Sequence, residues 1–254
     1  WGDAAALSTT ISADTDGTYV LNLTVTDNAG NSAYDTFTLE WDATGPTVEA
    51  GSDEAKNAVF TSDNAADRTV VASADDGTGT GIALYSWTMD SGPGTITWSD
   101  NTALSTTISA DTEGTYVLNL TVTDNAGNTA YDTFTLVWDI TAPTVEAGSD
   151  EAKSALFWSA SAADRTVVSS ATDGTGSGIA TYSWTRDSGP VGGVITWGND
   201  AALNTSITAN AQTAGTPYVL NLTVTDNAGN SAYDTFTLVW DTTNPAVDAG
   251  SNEI

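Results

Sequence analysis

The sequence predicts an all-β chain of β-sandwich domains in tandem, with about seven strands in each domain. Long segments alternate apolar and polar residues, as strands with one buried face do. Short β-rich runs are separated by turns rich in Gly, Asp and Pro, and no useful stretch shows the 3.6-residue period of an amphipathic helix. Closely similar segments also recur along the chain, which is typical of repeated domains.

The repeat is clearest in a segment of 25 residues. Residues 18–42 read TYVLNLTVTDNAGNSAYDTFTLEWD, and residues 115–139 differ from them at only two positions. Residues 218–241 continue the pattern in a third copy. The proline that closes each copy recurs after 97 and 102 residues, at Pro46, Pro143 and Pro245. This period suits a whole domain and is too long for a solenoid unit.

The prolines therefore set the predicted domain limits. We expect the C-terminal part of an Ig-like repeat at 1–46, complete repeats at 47–143 and 144–245, and the start of a further repeat at 246–254. The second complete repeat is longer by five residues, which fall in Gly/Pro-rich segments where loops tolerate insertions. The chain is thus expected to begin and end inside domains.

Within the first complete repeat, the predicted strands are short and separated by turn signals such as DDGTGTG, DSGPG and DTEG. They cover residues 68–74, 84–89, 95–98, 104–110, 115–124 and 130–139. Alternation is clear from Tyr116 to Val122 and from Phe134 to Trp138, so each of these segments should bury one face. About seven strands in about 100 residues is typical of an immunoglobulin-like sandwich.

The composition excludes several classes of function. Asp and Glu total 33, Lys and Arg total 5, and the formal charge of −28 disfavours nucleic acid and anionic membranes as partners. The absence of Cys and His excludes disulfides, the usual zinc and haem sites, and Ser-His or Cys-His nucleophiles. No apolar run approaches the ~20 residues of a membrane helix. We expect no enzymatic activity, no membrane insertion of this segment, and cations as ligands.

The order of four motifs carries a family resemblance. PTVEAGSD, YSWT, TYVLNLTVTDNAGN and FTLVWD follow one another as in the PKD and bacterial Ig-like repeats of surface adhesins, which the chain resembles over essentially its whole length. The resemblance implies PKD-type sandwiches arranged as a rod, at the cell surface or outside the cell, and often stiffened by calcium between domains. It also implies that Trp87 and Trp184 are the buried tryptophans of the third strand.

The same resemblance predicts where acidic residues meet. In an Ig-like domain the incoming linker, the loop after the second strand and the last hairpin share one pole. Alternation also places Asp124 on the inward series that starts at Tyr116, and Asp132 before Phe134 on the partner strand, so both are expected at the open mouth of the sandwich. The candidate metal ligands are therefore Asp42, either Asp75 or Asp76, Asp124 and Asn128 at one junction, and Asp139, Asp173, Asp226 and Asn230 at the next.

Calcium is the ion that such a set favours. Clustered carboxylates repel one another and lose hydration, and a divalent cation removes both costs. Carboxylate and main-chain oxygens from Gly-rich loops favour Ca²⁺ over transition metals. The alternative is that DNAGN is only a hairpin turn, because Asp and Asn bond their own backbone. A second acidic group follows each linker, and we expect it to be solvated charge, with a second ion as the alternative; its members are Glu49, Asp53, Glu54, Glu146, Asp150 and Glu151.

The leading functional hypothesis is a structural segment of a long extracellular fibre, adhesin stalk or filament. Its partners would be neighbouring repeats of the same chain, and identical chains side by side are a further option. One alternative is a carbohydrate-binding accessory module of a secreted enzyme, with an exposed aromatic row drawn from Trp1, Trp98, Trp158 and Trp197. Another alternative is an S-layer or sheath subunit. The sequence also matches the N-glycan acceptor pattern at Asn22, Asn119, Asn204 and Asn221.

Overall fold

The structure of the chain is a computed structural model, which describes residues 1–213 and 215–248. Two compact units divide the chain: Trp1–Glu54 with Ala58–Trp138, and Ala55–Asn57 with Asp139–Ile254. Every regular element in the described residues is a strand, which confirms the all-β prediction. The predicted further repeat at 246–254 lies mostly outside the described residues.

The first unit holds the strands of the partial repeat and of the first complete repeat. In chain order they are β1 Gly17–Thr26, β2 Ser32–Trp41, β3 Thr47–Glu49, β4 Glu54–Lys56, β5 Phe60–Thr61, β6 Ser73–Asp75, β7 Ile82–Ser91, β8 Ile96–Trp98, β9 Thr107–Ala110, β10 Gly114–Asp124 and β11 Thr129–Trp138. Strand β4 runs across the limit between the units, since Ala55 and Lys56 belong to the second.

Two sheets of the first unit enclose its core. The long strand β10 pairs antiparallel with β11 on one side and with β7 on the other, and β9 pairs with β5 and β8. Tyr116, Leu118 and Leu120 are fully buried, as their alternation predicts. They share one hydrophobic core with Trp87 of β7 and Ile108 of β9, so the two sheets form a sandwich.

The second unit repeats this arrangement. Its strands are β12 Thr144–Glu146, β13 Glu151–Lys153, β14 Phe157–Trp158, β15 Ser170–Thr172, β16 Ile179–Ser188, β17 Ile195–Trp197, β18 Ser206–Ala209, β19 Tyr218–Asp226 and β20 Ser231–Trp240. The strand orders are β13-β20-β19-β16, β14-β18-β17 and β12-β15. Trp184 is 2% exposed and Trp87 is 1% exposed, which confirms both as core tryptophans.

Each complete repeat has nine strands in the described residues, against about seven predicted. Three of them match no segment predicted from the sequence, and each has only two or three residues: β3, β4 and β5, with β12, β13 and β14 as their equivalents. Elements this short contain no measurable alternation, because the pattern needs at least four residues to be distinguished. The long strands form the centre of the sandwich, and short strands such as β4 and β5 lie at the edges of its sheets.

The strand predicted at 68–74 is wrong over most of its length. Only Ser73–Asp75 forms a strand, because the chain turns at Asn64, whose carbonyl accepts a 3.1 Å hydrogen bond from the Arg68 N–H. The Arg68 side chain is buried, donates to the Ala50 carbonyl at 2.7 Å, and lies 4.1 Å from the ring centre of Phe134. Burial lowers the pKa of Arg68, but an arginine remains charged in this setting.

Arg165 occupies the same position in the second unit, 4.0 Å from the ring centre of Phe236. Its Nε lies 3.7 Å from a carboxylate oxygen of Glu151, and the Nε of Arg68 lies 4.0 Å from Glu54. The expectation of solvated charge is therefore wrong for these two glutamates, because each pairs with a buried cation. Paired charges of this kind are costly to break, since the remaining partner is left buried and uncompensated.

The other members of the second acidic group hold main-chain N–H groups. Asp53 accepts from Thr135 and Asp150 accepts from Thr237, each at 2.7 Å. Glu49 and Glu146 accept from the glycine two residues later, each at 2.9 Å. The structure thus gives this group a role in anchoring the chain where it enters each sandwich.

Candidate metal centres

Three aspartates converge in each unit. In the first unit, oxygens of Asp42, Asp76 and Asp124 lie within 4.8 Å of one another, and in the second those of Asp139, Asp173 and Asp226 do the same. We call these groups the first and second triad. Each triad joins residues that are far apart in sequence, and Asp124, Asp139 and Asp226 are at most 2% exposed. The structure therefore brings together six of the nine predicted ligands.

Secondary structure places the three carboxylates of the first triad. Asp42 directly follows β2, Asp76 directly follows β6, and Asp124 is the last residue of β10. Because all three lie at or directly after the end of a strand, their side chains meet in a loop region at the end of the sheets. A site at such a position can draw main-chain oxygens from the loops as well as carboxylates.

A glycine makes the close approach of two carboxylates possible. An added Cβ at Gly79 would lie 2.5 Å from an oxygen of Asp76 and 2.8 Å from an oxygen of Asp42. At Gly176 the corresponding distances to Asp173 and Asp139 are 2.6 and 2.8 Å. Any side chain at these positions would fill the space between the carboxylates. The chain thus keeps a cradle lined by anionic oxygens, which fits a small hard cation.

Hydrogen bonds from the glycine-rich loops fix the carboxylates. Asp42 accepts from both the N–H and the hydroxyl of Thr80 at 2.9 Å, and the first of these bonds is the main reason that its pKa is lowered. Asp76 accepts from the N–H of Gly81 at 2.6 Å. A carboxylate has about four acceptor positions, so these bonds orient each group and leave lone pairs for a ligand.

The hairpin DNAGN positions the third carboxylate. Asp226 accepts from the main-chain N–H of Asn230 at 2.8 Å and from its side-chain Nδ2 at 2.8 Å. Gly229, with φ of +97°, makes the tight turn between them. The same Nδ2 donates to the main-chain oxygen of Asp139 at 2.9 Å, and the Oδ1 of Asn230 accepts from Asn57 at 3.0 Å. The motif is therefore a hairpin and part of the triad at once.

Asn128 has the equivalent position in the first unit. Its Nδ2 donates to Asp124 at 2.7 Å and to the main-chain oxygen of Asp42 at 3.2 Å. Asn128 and Asn230 thus lie beside the triads, but their amides hold the aspartates in position. The Asn230 oxygen accepts from Asn57 while its nitrogen positions Asp226 and Asp139, and the Asn128 nitrogen makes the equivalent bonds to Asp124 and Asp42.

The remaining predicted ligand, Asp75, lies outside the first triad. It is exposed and lines a cavity of 270 Å³ together with Asp16, Asp42 and Asp76. The equivalent residue in the second unit is Thr172, so only three carboxylates are common to both units. Sequence reasoning missed Asp16, which accepts from the N–H of Ala43 at 2.8 Å. It also missed Gly79 and Gly176, although a glycine three residues after the aspartate recurs in both loops.

Two of the four tryptophans predicted for an exposed carbohydrate-binding row, Trp98 and Trp197, pack against the cores, while Trp1 is 61% exposed. Trp98 stacks on the core residue Trp87 and Trp197 stacks on Trp184, with ring centres 5.6 Å apart in both pairs. Both outer tryptophans are partly buried against the hydrophobic cores. Trp158 stands apart from them on the short strand β14 and is 45% exposed.

Comparison with known families identifies the repeats. A family model for a PKD domain matches residues 59–137 and 161–239, which together make up more than half of the chain. A model for a bacterial Ig-like domain matches residues 2–43. A search of curated proteins finds no match. Among the described residues, no helix has the length and apolar character needed to cross a membrane.

Several solved structures are similar to the chain. The solution structure of the PKD domain from the KIAA 1837 protein has 21% identity and a TM-score of 0.29, with 39% of this chain and 90% of that chain covered. Fibronectin(III)-like modules of Clostridium thermocellum CbhA have 13% identity and a TM-score of 0.38, with 81% and 100% covered. The Drosophila N-cadherin structure has 14% identity and a TM-score of 0.31, with 89% and 58% covered.

Proposed function

Since the chain belongs to the PKD domain family, we propose that it is a structural segment of an extracellular fibre, adhesin stalk or filament, in which Ca²⁺ stiffens the junctions between repeats. Tandem PKD and Ig-like domains are typical of extracellular structural or adhesion modules, and the fold is typically non-catalytic. To this general role the proposal adds a cation, Ca²⁺, and places it at the two aspartate triads. Its extracellular location would supply calcium at millimolar concentration.

The observation that carries the proposal is the recurrence of one triad in both units. The first triad joins Asp42, which directly follows the last strand of the partial repeat, to Asp76 and Asp124 of the next repeat. A cation held by all three would tie the end of one repeat to two loops of the next. Asp139 directly follows β11 in the same way and enters the second triad.

Other contacts in the first unit already hold this linker. The Nδ2 of Asn128 donates to the carbonyls of Asp42 at 3.2 Å and Thr44 at 3.4 Å. An added Cβ at Gly45 would lie 3.3 Å from the carbonyl of Thr129, so the linker backbone runs directly along the hairpin. These contacts place Asp42 beside its partners, and the cation would lock a position that is prepared in advance.

The donor set points to calcium in particular. Three carboxylates with loop carbonyls nearby offer only hard oxygen ligands, and the chain has no His or Cys to attract a softer metal. Ca²⁺ accepts six to eight oxygens in flexible geometry, whereas Mg²⁺ requires a near-ideal octahedron and retains water. Without a cation, the three charges repel one another at close range in partly buried positions.

The test is to compare the whole chain with calcium and with chelator. Thermal unfolding should occur at a higher temperature in millimolar Ca²⁺ than in EDTA, and small-angle X-ray scattering should indicate a stiffer chain with calcium. Magnesium at the same concentration should give a smaller shift. Identical unfolding and scattering in calcium and in EDTA would remove calcium from the proposal and leave only the structural role.

A further inference from the structure

We propose that Asn204 in the second unit is an acceptor for an N-linked glycan and that the neighbouring Trp158 packs against its first sugar. Four segments of the chain match the acceptor pattern Asn-x-Ser/Thr, where the hydroxyl residue stands two positions after the asparagine. A pattern this short occurs by chance, so the structural setting must separate a usable acceptor from an unusable one.

Three of the four asparagines lie within long paired strands. Asn119 is in the middle of β10, opposite Thr88 of β7 and Thr133 of β11. Its Oδ1 accepts a hydrogen bond of 3.1 Å from the hydroxyl of Thr121, which is the residue that completes the pattern. An asparagine in the middle of a strand that is held on both edges cannot reach a transferase site without breaking the sheet.

Asn221 shares this setting, and Asn22 also lies in a long strand, although β1 pairs only with β2 among the described residues. Asn221 lies opposite Thr185 and Thr235 in β19, and Asn22 lies opposite Thr36 in β1. In each case the threonine two residues later donates to the asparagine oxygen at 3.1 Å. The pattern on these strands thus has a structural explanation, since Asn and Thr on one face of a strand bond to each other.

The Asn204 side chain differs in both respects, while the rest of its pattern enters the sheet: Thr205 is 1% exposed and Ser206 is the first residue of β18, between β14 and β17. Asn204 lies on an exposed bend two residues before β18 begins, and no hydrogen bond to its side chain occurs among the described residues. The equivalent residue in the first complete repeat is Ser105, so the pattern at this position is specific to the second unit. Exposed loops are the usual location of N-glycans, because a bulky hydrophilic group there displaces no packing.

A tryptophan specific to the same repeat stands beside this acceptor. Trp158 lies directly opposite Ser206, the hydroxyl residue of the pattern, in the β14–β18 ladder. The next main-chain contact, from Ser159 N–H to Thr205 carbonyl at 2.9 Å, continues this pairing toward Asn204. The first complete repeat has Thr61 in place of Trp158. Two differences between the repeats therefore coincide at one place in the fold.

The residues around Trp158 leave its ring accessible. Ser206 lies between Trp158 on one side and Gly198, whose N–H donates to the Ser206 carbonyl at 2.9 Å, on the other. The first complete repeat has the larger Ser99 and Thr107 at these two positions. An exposed indole flanked by small residues offers a flat apolar surface, and the C–H face of a sugar ring can cover it.

The modification has a defined chemistry. The side-chain nitrogen of Asn204 attacks the anomeric carbon of an oligosaccharide carried on a polyprenyl phosphate or diphosphate. A C–N bond forms, the bond from the anomeric carbon to the phosphate oxygen breaks, and the phosphate leaves with the bonding electrons. The amide proton passes to a base of the transferase. The Ser206 hydroxyl is needed for recognition by the transferase.

The test uses the folded chain, a single-subunit oligosaccharyltransferase that accepts Asn-x-Ser/Thr, and its lipid-linked oligosaccharide. The expected product carries one glycan, which peptide mass spectrometry places on Asn204. Asn204→Gln and Ser206→Ala should abolish it, while Ser206→Thr should retain it. No modification, or modification at the strand asparagines instead of Asn204, would overturn the proposal.

A second measurement tests the role of the tryptophan. Trp158→Thr restores the residue of the other repeat, so this variant should fold and still accept the glycan. Attachment of the glycan should raise the unfolding temperature of the parent chain more than that of the variant. Equal shifts in both would show that Trp158 does not pack against the sugar. Neither measurement depends on calcium, so its outcome is separate from that of the proposed function.

Discussion

The side-chain amide of Asn230 donates a hydrogen bond of 2.9 Å to the main-chain oxygen of Asp139, a residue 91 positions earlier in the chain. Asn128 makes the equivalent bond to Asp42 at 3.2 Å across 86 positions. Each hairpin therefore contacts the residue that enters the triad from the linker. The bond does not require a cation, so the polypeptide sets the position of the aspartate before any ion binds.

Replacing Asn230 with Ala should destabilise the second unit with or without calcium. The change removes three side-chain hydrogen bonds. They join Asn230 to the buried carboxylate of Asp226, to the main-chain oxygen of Asp139 and to the side chain of Asn57. We expect a loss of ~1–3 kcal/mol in the free energy of unfolding, measured by urea denaturation in EDTA. Asn204→Ala, at an exposed position, is the control and should change little. Unchanged stability of Asn230→Ala in EDTA would show that the bond contributes nothing.

Removing one charge from a triad should have opposite effects in the two conditions. Asp173→Asn reduces the repulsion among three carboxylates, so the unfolding temperature in EDTA should stay the same or rise. In calcium the same variant should be less stable than the parent chain, because one ligand is weakened. Asp187→Asn, which changes an exposed carboxylate outside the triads, is the matched control. Equal losses in calcium and EDTA would indicate a purely structural role for Asp173.

Alanine in place of Gly176 should abolish the response of the second triad to calcium. The added Cβ would lie 2.6 Å from an oxygen of Asp173 and 2.8 Å from one of Asp139, so at least one carboxylate must move. Calorimetric titration should then detect one ion fewer per chain. Ser177→Thr is the control, since Thr80 occupies the equivalent position in the first unit, and it should bind as the parent does. Full binding by the alanine variant would show that the cradle is not the site.

Arg165→Ala should be among the most destabilising single changes in the second unit. The side chain lies over Phe236, donates to the Ala147 carbonyl at 2.8 Å, and faces Glu151. Its loss leaves Glu151 paired with the partly exposed Lys153 at 3.3 Å, so we expect a cost below the ~3–5 kcal/mol of a buried charge left without any partner. Urea unfolding measures the loss, and Asp187→Ala, at an exposed position, serves as reference. A change below ~0.5 kcal/mol, as for an ordinary surface substitution, would contradict this account of the core.

The sequence is sufficient to predict the long strands and the core because these depend on alternation alone. Tyr116, Leu118 and Leu120 are buried as the period of two requires. The segment at 68–74 shows the limit of that reasoning. Its residues are β-rich, yet Arg68 must enter the core over Phe134, and a turn at Asn64 brings it there. A buried arginine gives no signal in a pattern that counts apolar residues.

The sequence predicts part of each triad, because alternation also determines which residue of a strand faces inward. Asp124 follows the inward series of its strand, so alternation places it correctly, and the resemblance to Ig-like domains implies Asp42 as its partner. Choosing between Asp75 and Asp76 requires the path of the loop, which depends on Gly79 and on the N–H of Gly81. The sequence also made Asn128 a candidate ligand. Which way its side-chain amide points depends on contacts with Asp124 and Asp42, and these are visible only in the structure.

The most direct test of the account is isothermal titration of the chelator-treated chain with Ca²⁺, because it counts ions and measures affinity together. We expect two calcium ions per chain, one for each triad, one ion in Asp76→Asn or Asp173→Asn, and none in the double variant. Absence of binding at millimolar calcium, or binding that the double variant retains in full, would contradict the assignment of the triads as calcium sites.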